Sequence, residues 1–177
     1  KEDKEVNINV NLNGKYYADH IIIIVEKNVK AKVIENLSGS CKFRTSIVKV
    51  YVKENAKLDY YLIDDLNKGN NFTKYNGIVD RNAKLNWFSG IFSRGLNKAD
   101  YKSILQGEGA SSEIYNIYFS DKNSKYNLSN SIIHKSNNCP FYYSDKKNQP
   151  VFLRAADRSV KTEICFVNEK TGMLRVM

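Results

Sequence analysis

The sequence predicts an all-β protein, a parallel β-helix (β-solenoid) of about six coils built from repeats of about 27 residues. The first observation behind this prediction is a periodic corner: Asn28, Asn55, Asn82 and Gly109 follow one another at intervals of 27 residues. The second is an abundance of Val, Ile, Tyr and Phe in the repeats, which favours strands. The third is the alternation of apolar and polar side chains near these corners, which is typical of strands and unlike helical periodicity.

One repeat has the length that one coil requires. About 27 residues at about 3.3 Å each give a contour of about 90 Å, enough for two or three short strands stacked about 4.8 Å from the next coil. Asn or Gly at the corner tolerates a positive φ. The residue three positions later should point inward, which concerns Ala31, Leu58, Leu85 and Ser112. An ordinary β-sandwich also has regularly spaced strands, but it does not explain a constant interval.

The chain is treated as one β-helix domain, residues 1–177. Residues 1–20 are predicted to form an irregular start or a terminal coil. Residues 139–157 are predicted to form an irregular coil or surface loop, because Pro140 and Pro150, the two prolines, lie where the period shortens. The start at Lys1 indicates a piece of a longer protein. Because a solenoid exposes strand edges at its ends, another domain or a partner is expected to cover them.

Composition narrows the function classes. Of 177 residues, 42% are hydrophobic, which is enough for a sizeable core. The longest apolar run, residues 21–25, is too short for a membrane-spanning helix, so no membrane partner is expected. The net charge is +9, but the excess of Asn, Lys, Ile and Tyr is typical of A/T-biased coding, so a nucleic-acid partner is not expected. The three cysteines lack CxxC spacing, which favours a reducing compartment.

Metal-binding and catalytic motifs are sparse. His134 and Cys139 are weak candidates for a metal or sulfur-handling pair, but two residues make an incomplete site, and a packed His and a buried Cys are the favoured interpretation. The sequence contains no GxSxG motif, and neither histidine, His20 nor His134, lies in a recognisable triad pattern. The glycines at 107 and 109 lack the spacing of a phosphate loop. We therefore predict no catalytic residue, no firmly bound cofactor and no enzyme activity.

Acidic residues near the corners leave an enzymatic alternative open. Asp64, Asp65, Asp80 and Glu108 would suit a carbohydrate-active β-helix if they converged in a groove. Solvated turn residues are the more common explanation of such carboxylates, and we favour it.

The stacked repeats also align lysines and aromatic side chains. Lys30, Lys57 and Lys84 would form a file that binds a polyanion or, as we favour, a solvated edge that discourages aggregation. The aromatic side chains could stack nucleobases, but core packing and cross-strand pairing are the favoured roles. These aromatic residues are Tyr60, Tyr61, Trp87, Tyr115 and Tyr118.

Several stretches, in the same order along the chain, resemble the SufB/SufD β-helix proteins of iron–sulfur cluster assembly. They are IIIIVEKNVKAKVIE (21–35), VKENAKLDYYLI (52–63), LQGEGASSEIYNIYF (105–119), IHKSNNC (133–139) and, more weakly, SVKTEICFVNEKTGML (159–174).

Within that family the chain looks closer to SufD. SufB-like chains usually carry a Cys in the segment that here reads IENLSG (34–39), and the 134–139 stretch is SufD-like. The coil after Cys139 is about four residues short of the family pattern, and Leu153 stands where a Gly is usual. The family's later segment, with its His and its SufC-docking helices, has no counterpart, so those residues are not carried over.

The resemblance implies a non-catalytic scaffold that pairs with SufB-like and SufC-like subunits. A homodimer through β-helix edges is a further implied arrangement. It also implies a transient contact with iron or an iron–sulfur cluster in the complex, and a location in the cytoplasm or a plastid-type organelle.

Overall fold

The computed structural model describes residues 4–119 and 124–135 and, beyond them, the backbone of four short strands. Eight longer strands precede these four. They are β1 (Lys4–Asn13), β2 (Tyr16–Val25), β3 (Lys30–Val52), β4 (Lys57–Val79), β5 (Lys84–Ile91), β6 (Leu96–Leu105), β7 (Ser111–Tyr118) and β8 (Lys125–His134). The short strands are β9 (Tyr142–Ser144), β10 (Pro150–Phe152), β11 (Ile164–Phe166) and β12 (Leu174–Val176). Among the described residues, no helix has the length and apolar character needed to cross a membrane.

The eight longer strands form a parallel β-solenoid of about five turns, which confirms the predicted fold. Residues one repeat apart lie side by side: Lys30 pairs with Lys57, and Lys57 pairs with Lys84. The predicted sixth coil falls on residues 136–177, most of which lie outside the described residues.

Each coil runs along two walls. The first wall consists of β1, β5, β7 and the first halves of β3 and β4, whereas the second wall consists of β2, β6, β8 and the second halves of β3 and β4. The bend between the walls in β3 coincides with register shifts between Gly39 and Phe43. The interval of 27 residues is kept along the first wall, whereas on the second wall it changes to 26 between Val79 and Leu105.

The corner residues adopt the predicted backbone conformation. Asn28, Asn55 and Asn82 have φ values of 59°, 55° and 52°, and Gly109 has 69°. Asn55 Nδ2 donates a hydrogen bond to Asn28 Oδ1 at 3.3 Å. The three asparagines therefore form a column, as the stacking of successive repeats requires.

The first coil is regular over the residues that are described. Residues 4–20, for which an irregular start or a terminal coil was expected, lie almost entirely in β1 and β2, and both strands pair with β3. Asn9 on β1 is exposed and accepts a hydrogen bond from Asn36 Nδ2. Within residues 139–157, β9 and β10 form an antiparallel pair, and the other residues of that segment lie outside the described residues.

Apolar side chains from both walls meet inside the coils. Leu58, Leu85, Tyr60 and Trp87 are each at most 1% exposed, as their alternation predicts. Trp87 Nε1 donates a hydrogen bond to Ser103 Oγ at 3.0 Å. Gly77 faces this cluster, where an added Cβ would lie 2.2 Å from a Leu85 methyl carbon. A glycine is therefore needed there to leave room for the indole and leucine side chains.

Candidate functional site

A band of polar side chains crosses the interior between two apolar clusters. We call this band the polar seam. Along each strand it falls between the clusters: Glu35 lies between buried Val33 and Leu37, and Asp64 lies between buried Leu62 and Leu66. Its members are Asp19, Glu35, Arg44, Ser46, Asp64, Asn71, Thr73, Ser93 and Asn97.

Arg44 is the cation of the polar seam, and its side chain is fully buried. Its Nε and Nη2 atoms donate to the two carboxylate oxygens of Asp19, both at 2.8 Å. Nη2 also donates to Glu35 at 3.3 Å, and Nη1 donates to Asn71 Oδ1 at 3.4 Å. Burial opposes the charge of Arg44, but the hydrogen bond with Asp19 and the attraction of Glu35 outweigh it and raise its pKa. The guanidinium therefore remains charged inside the solenoid.

Glu35 is the most deeply buried carboxylate beside that cation. Tyr60 donates its hydroxyl hydrogen to Glu35 Oε2 at 2.6 Å. Burial raises the pKa of Glu35, and the hydrogen bond from Tyr60 and the charge of Arg44 only partly oppose this. Burial and the same carboxylate also raise the pKa of Tyr60, so its hydroxyl stays protonated.

Asp64 is held by amides instead of a direct ion pair. Its Oδ2 atom accepts hydrogen bonds from Asn71 Nδ2 at 3.0 Å and from Asn97 Nδ2 at 2.6 Å. Its Oδ1 atom accepts one from the Leu66 backbone N–H at 3.4 Å. Burial raises the pKa of Asp64 despite these hydrogen bonds. The expectation that Asp64 is a solvated turn residue is therefore wrong, because its strand position points it into the interior.

The polar seam joins successive coils. Asp19 belongs to the first coil, Arg44 to the second, Asn71 to the third and Asn97 to the fourth. Buried hydrogen bonds and ion pairs are satisfied only when these residues are in register. The polar seam therefore selects one alignment of the coils.

The geometry of the polar seam does not suit a metal ion. Among the residues that the structure describes, no three His, Cys, Asp or Glu side chains are grouped so that they could hold one. The space between Asp19 and Glu35 is taken by the guanidinium of Arg44. Cys41 is 7% exposed beside the polar seam, and burial raises its pKa, which keeps it as a thiol and not as the more reactive thiolate.

The two histidines that the sequence offered as candidates lie outside the polar seam. His134 ends β8 and is 9% exposed, and burial lowers its pKa. Cys139 lies outside the described residues, so a His134–Cys139 pair stays a prediction. His20 is exposed on β2.

The lysine file runs along the first wall, but two of its members are ion-paired. Lys57 Nζ lies 2.7 Å from Asp59 Oδ2, and Lys84 Nζ lies 2.7 Å from Glu113 Oε1. These carboxylates reduce the repulsion between neighbouring lysines. The file is therefore less available to a polyanion than the sequence alone indicated.

Carboxylates at the corner likewise form ion pairs with lysine and arginine side chains of adjacent coils. Glu54 contacts Lys27 at 3.1 Å and also pairs with Arg81, and Glu26 pairs with Lys53 at 2.8 Å. Asp65 is exposed on the opposite side of β4 from Asp64. These two acidic residues do not converge in one groove, as a carbohydrate-active site would require.

The aromatic residues divide between the interior and the outside. Tyr60 and Trp87 are core residues, as predicted. Tyr61 and Tyr115 instead point outward and stack on Phe88 at centroid distances of 4.7 and 5.2 Å, so they form the predicted cross-strand pairs but lie outside the core.

This stack lines an apolar groove of about 510 Å³ on the first wall. Exposed apolar side chains continue along it: Ile63 is 45% exposed and Ile117 is 70% exposed. A contiguous exposed apolar surface of this kind is typical of protein contacts.

The polar seam was not predicted from the sequence, although polar residues recur at one position of the repeat. Arg44 lies beside Asn71, and Asn71 lies beside Asn97, so one interior column is polar in three successive coils. The sequence reveals this column only after the interior side of the second wall has been assigned.

One comparison with known proteins gives a match. A family profile described as "SUF system FeS cluster assembly, SufBD core domain" matches residues 8–146. No curated protein and no solved structure gives a significant match to the chain. The matched segment contains all five described coils except the first residues of β1, and so it contains the polar seam and both walls.

Proposed function

Because the chain belongs to the SufBD core-domain family of the SUF system for iron–sulfur cluster assembly, we propose that it is a non-catalytic, SufD-like scaffold subunit. Its partners would be a SufB-like subunit and a SufC-like ATPase. The family match carries the proposal, and three features of the described structure support it.

The first supporting feature is stiffness. Pairing is continuous from β1 to β7 on the first wall and from β2 to β8 on the second wall, with buried side chains filling the space between the walls. The polar seam additionally links four consecutive coils. A scaffold that transmits the rearrangement of an attached ATPase needs an element that does not deform.

The second supporting feature is the open edge of the first coil. Among the described residues, β1 and β2 each pair along one side only, with β3. Each of these strands is ten residues long and offers backbone groups that another strand can pair with. We propose that an edge of this kind joins the scaffold to a SufB-like solenoid, with a homodimer as the alternative arrangement.

The third supporting feature concerns the cluster itself, which would be cargo and not a resident cofactor. Cys41, the cysteine whose side chain is described, is a buried thiol, and His134 is buried at the end of β8. We propose that any contact with iron or a cluster is transient and forms together with a partner, in the cytoplasm or in a plastid-type organelle.

Co-purification tests this function. The chain, tagged and co-expressed with the SufB-like and SufC-like proteins of its own source, is expected to elute with both as one complex. The purified chain alone is expected to hydrolyse neither ATP nor polysaccharide. If neither protein associates, even with the full-length gene product, the scaffold role is wrong. Cleavage of a polysaccharide by the chain alone would instead favour a carbohydrate-active β-helix.

A further inference from the structure

The outward side of the second wall carries lysines that differ from those of the first wall. Lys49, Lys74, Lys98 and Lys102 alternate with inward residues of β3, β4 and β6, and all four are exposed. We call the surface around them the lysine face. Among the described residues, the ion pairs on the outward side of the walls involve Lys32, Lys57 and Lys84 of the first wall, and none involves the lysine face.

Strand register fixes how these lysines are arranged. Lys49 lies beside Asn76, which lies beside Lys102, so their backbones are two strand spacings, about 10 Å, apart. Lys74 lies beside Asp100, the acidic residue that faces outward among them. One carboxylate among four ammonium groups leaves a net positive surface, which attracts acidic partners over about one Debye length, roughly 8 Å at physiological salt.

Exposed apolar side chains adjoin the lysine face. Ile22, which lies beside Lys49, and Ile24 are each 57% exposed, and Tyr51 beside Ile24 is 37% exposed. Ile24, Tyr51 and Ile78 line a shallow groove of about 260 Å³. Apolar anchors surrounded by charges are typical of interfaces between proteins.

We propose that the lysine face docks an acidic protein segment. Its carboxylates would meet Lys49, Lys74 and the two lysines of β6, while an apolar side chain enters the groove beside Tyr51. The four lysines lie on β3, β4 and β6, whereas the scaffold role uses the backbone edge of β1 and β2, so the two proposals are tested separately.

The residues of the lysine face favour a protein over a nucleic acid. Within the strands of the second wall, Arg44 is the only arginine, and it is buried in the polar seam. The outward side of these described strands therefore lacks arginine side chains, whose guanidinium groups bind a phosphate in bidentate fashion. The exposed isoleucines have no role in phosphate binding, but they can contribute buried apolar area to a protein interface.

A binding experiment with defined probes tests the proposal on the whole chain. The main probe is a fluorescein-labelled synthetic peptide of Glu with Leu at every fourth position. A second peptide has Ser in place of Leu, and a third probe is labelled oligothymidylate of the same length. Fluorescence anisotropy at low and at physiological ionic strength gives the dissociation constants. The Glu–Leu peptide is expected to bind most tightly, and more weakly as salt rises.

Two charge-reversal variants make the test specific for the surface. The double variant K74E/K102E is expected to weaken peptide binding by about tenfold or more. The matched control K30E/K68E makes the same change in net charge at exposed positions outside the lysine face, and it is expected to weaken binding by less than about threefold. Urea midpoints close to that of the original chain would establish that both variants are folded.

Three results would overturn the proposal. One is the absence of peptide binding at low ionic strength. Another is an equal loss of affinity in K30E/K68E, because binding would then follow net charge and not the lysine face. The third is tighter binding of oligothymidylate than of the Glu–Leu peptide, which would identify a nucleic-acid surface. Weaker binding of the Ser peptide would support the role of the apolar groove.

Discussion

The interior has two parts, the large apolar cluster and the polar seam, and different interactions hold the coils together in each. Around Leu85 and Trp87, the coils are filled mainly by apolar contacts between side chains, although Trp87 also donates a hydrogen bond to Ser103. In the polar seam, Arg44, Asp19 and Glu35 must each find a specific partner from another strand or another part of the same strand. Apolar burial stabilises any compact stacking of coils, whereas the polar seam stabilises one register.

The comparison explains why a scaffold would retain charges inside. A slip of one residue would turn the apolar side chains of a strand outward, but a slip of two residues would preserve their alternation. The polar seam would lose its hydrogen bonds in either case. We infer that it aligns the coils and thereby fixes which outward residues become neighbours.

The largest effect is expected from removal of the central cation of the polar seam. Arg44→Met should lower the free energy of unfolding by about 3–5 kcal/mol, because Glu35 would remain buried without its positive partner. Urea denaturation measures this loss. Lys49→Met, at a nearby outward position, is the control and should change stability by less than about 0.5 kcal/mol. A loss below about 1 kcal/mol for Arg44→Met would contradict the role of the polar seam.

A comparable effect is expected in the apolar cluster. Leu85→Ala should cost about 2–5 kcal/mol, because Leu85 is fully buried and its truncation leaves a cavity beside Trp87. Urea denaturation at acidic and at neutral pH should give the same loss for Leu85→Ala. The loss caused by Arg44→Met should be smaller at acidic pH, where Glu35 becomes neutral. Equal pH dependence of the two losses would remove the distinction between the two regions.

The pH dependence of stability should also separate the polar seam from the surface. Since burial raises the pKa of Glu35, the folded state holds its proton more firmly than the unfolded state, and stability falls as pH rises above about 4.3. Glu35→Gln should remove this fall, which amounts to about 1.4 kcal/mol for each unit by which the pKa is raised. The variant should therefore gain stability relative to the original chain as pH rises towards neutrality.

Glu54 at the exposed corner is the matched control for that experiment. Hydrogen bonds from Arg81 and Lys27 lower its pKa, so its contribution is present above the ordinary glutamate pKa and is lost as pH falls. Urea denaturation across the pH range should give opposite slopes for Glu35→Gln and Glu54→Gln, each relative to the original chain. Slopes of the same sign would contradict the assignment of Glu35 to a buried site.

The smallest effect is expected at the corner, outside both interior regions. Asn55→Ala should cost about 1 kcal/mol, because Asn55 has a φ of 55° and alanine is strained in that conformation. Asn55→Gly, which relieves the strain, should be close to neutral in the same thermal or urea measurement. An equal loss for Gly and Ala would mean that the contact between Asn55 and Asn28, which both variants lack, and not the backbone conformation, stabilises the corner.

Much of the fold could be predicted from the sequence because the repeat is a local pattern. The interval between Asn28, Asn55 and Asn82 requires a coil of constant length, and the alternation around Leu58 and Leu85 assigns the interior side of the first wall. The stretches between residues 21 and 174 that resemble SufB/SufD proteins predicted the family, and the profile match to residues 8–146 confirms it. Closeness to SufD stays a prediction.

The interior of the second wall was decided only by the tertiary structure. In β3, inward residues have odd numbers up to Leu37 and even numbers from Arg44 onward, because the register shifts near Gly39 to Phe43 change the alternation. Alternation read straight through the bend would place Arg44 outside. The ion pairs could not be predicted from the sequence either. The sequence aligns Lys30, Lys57 and Lys84 but does not determine which lysines reach a carboxylate. Local periodicity fixes the stacking of the coils, whereas the bend between the walls fixes which charges are buried, paired or exposed.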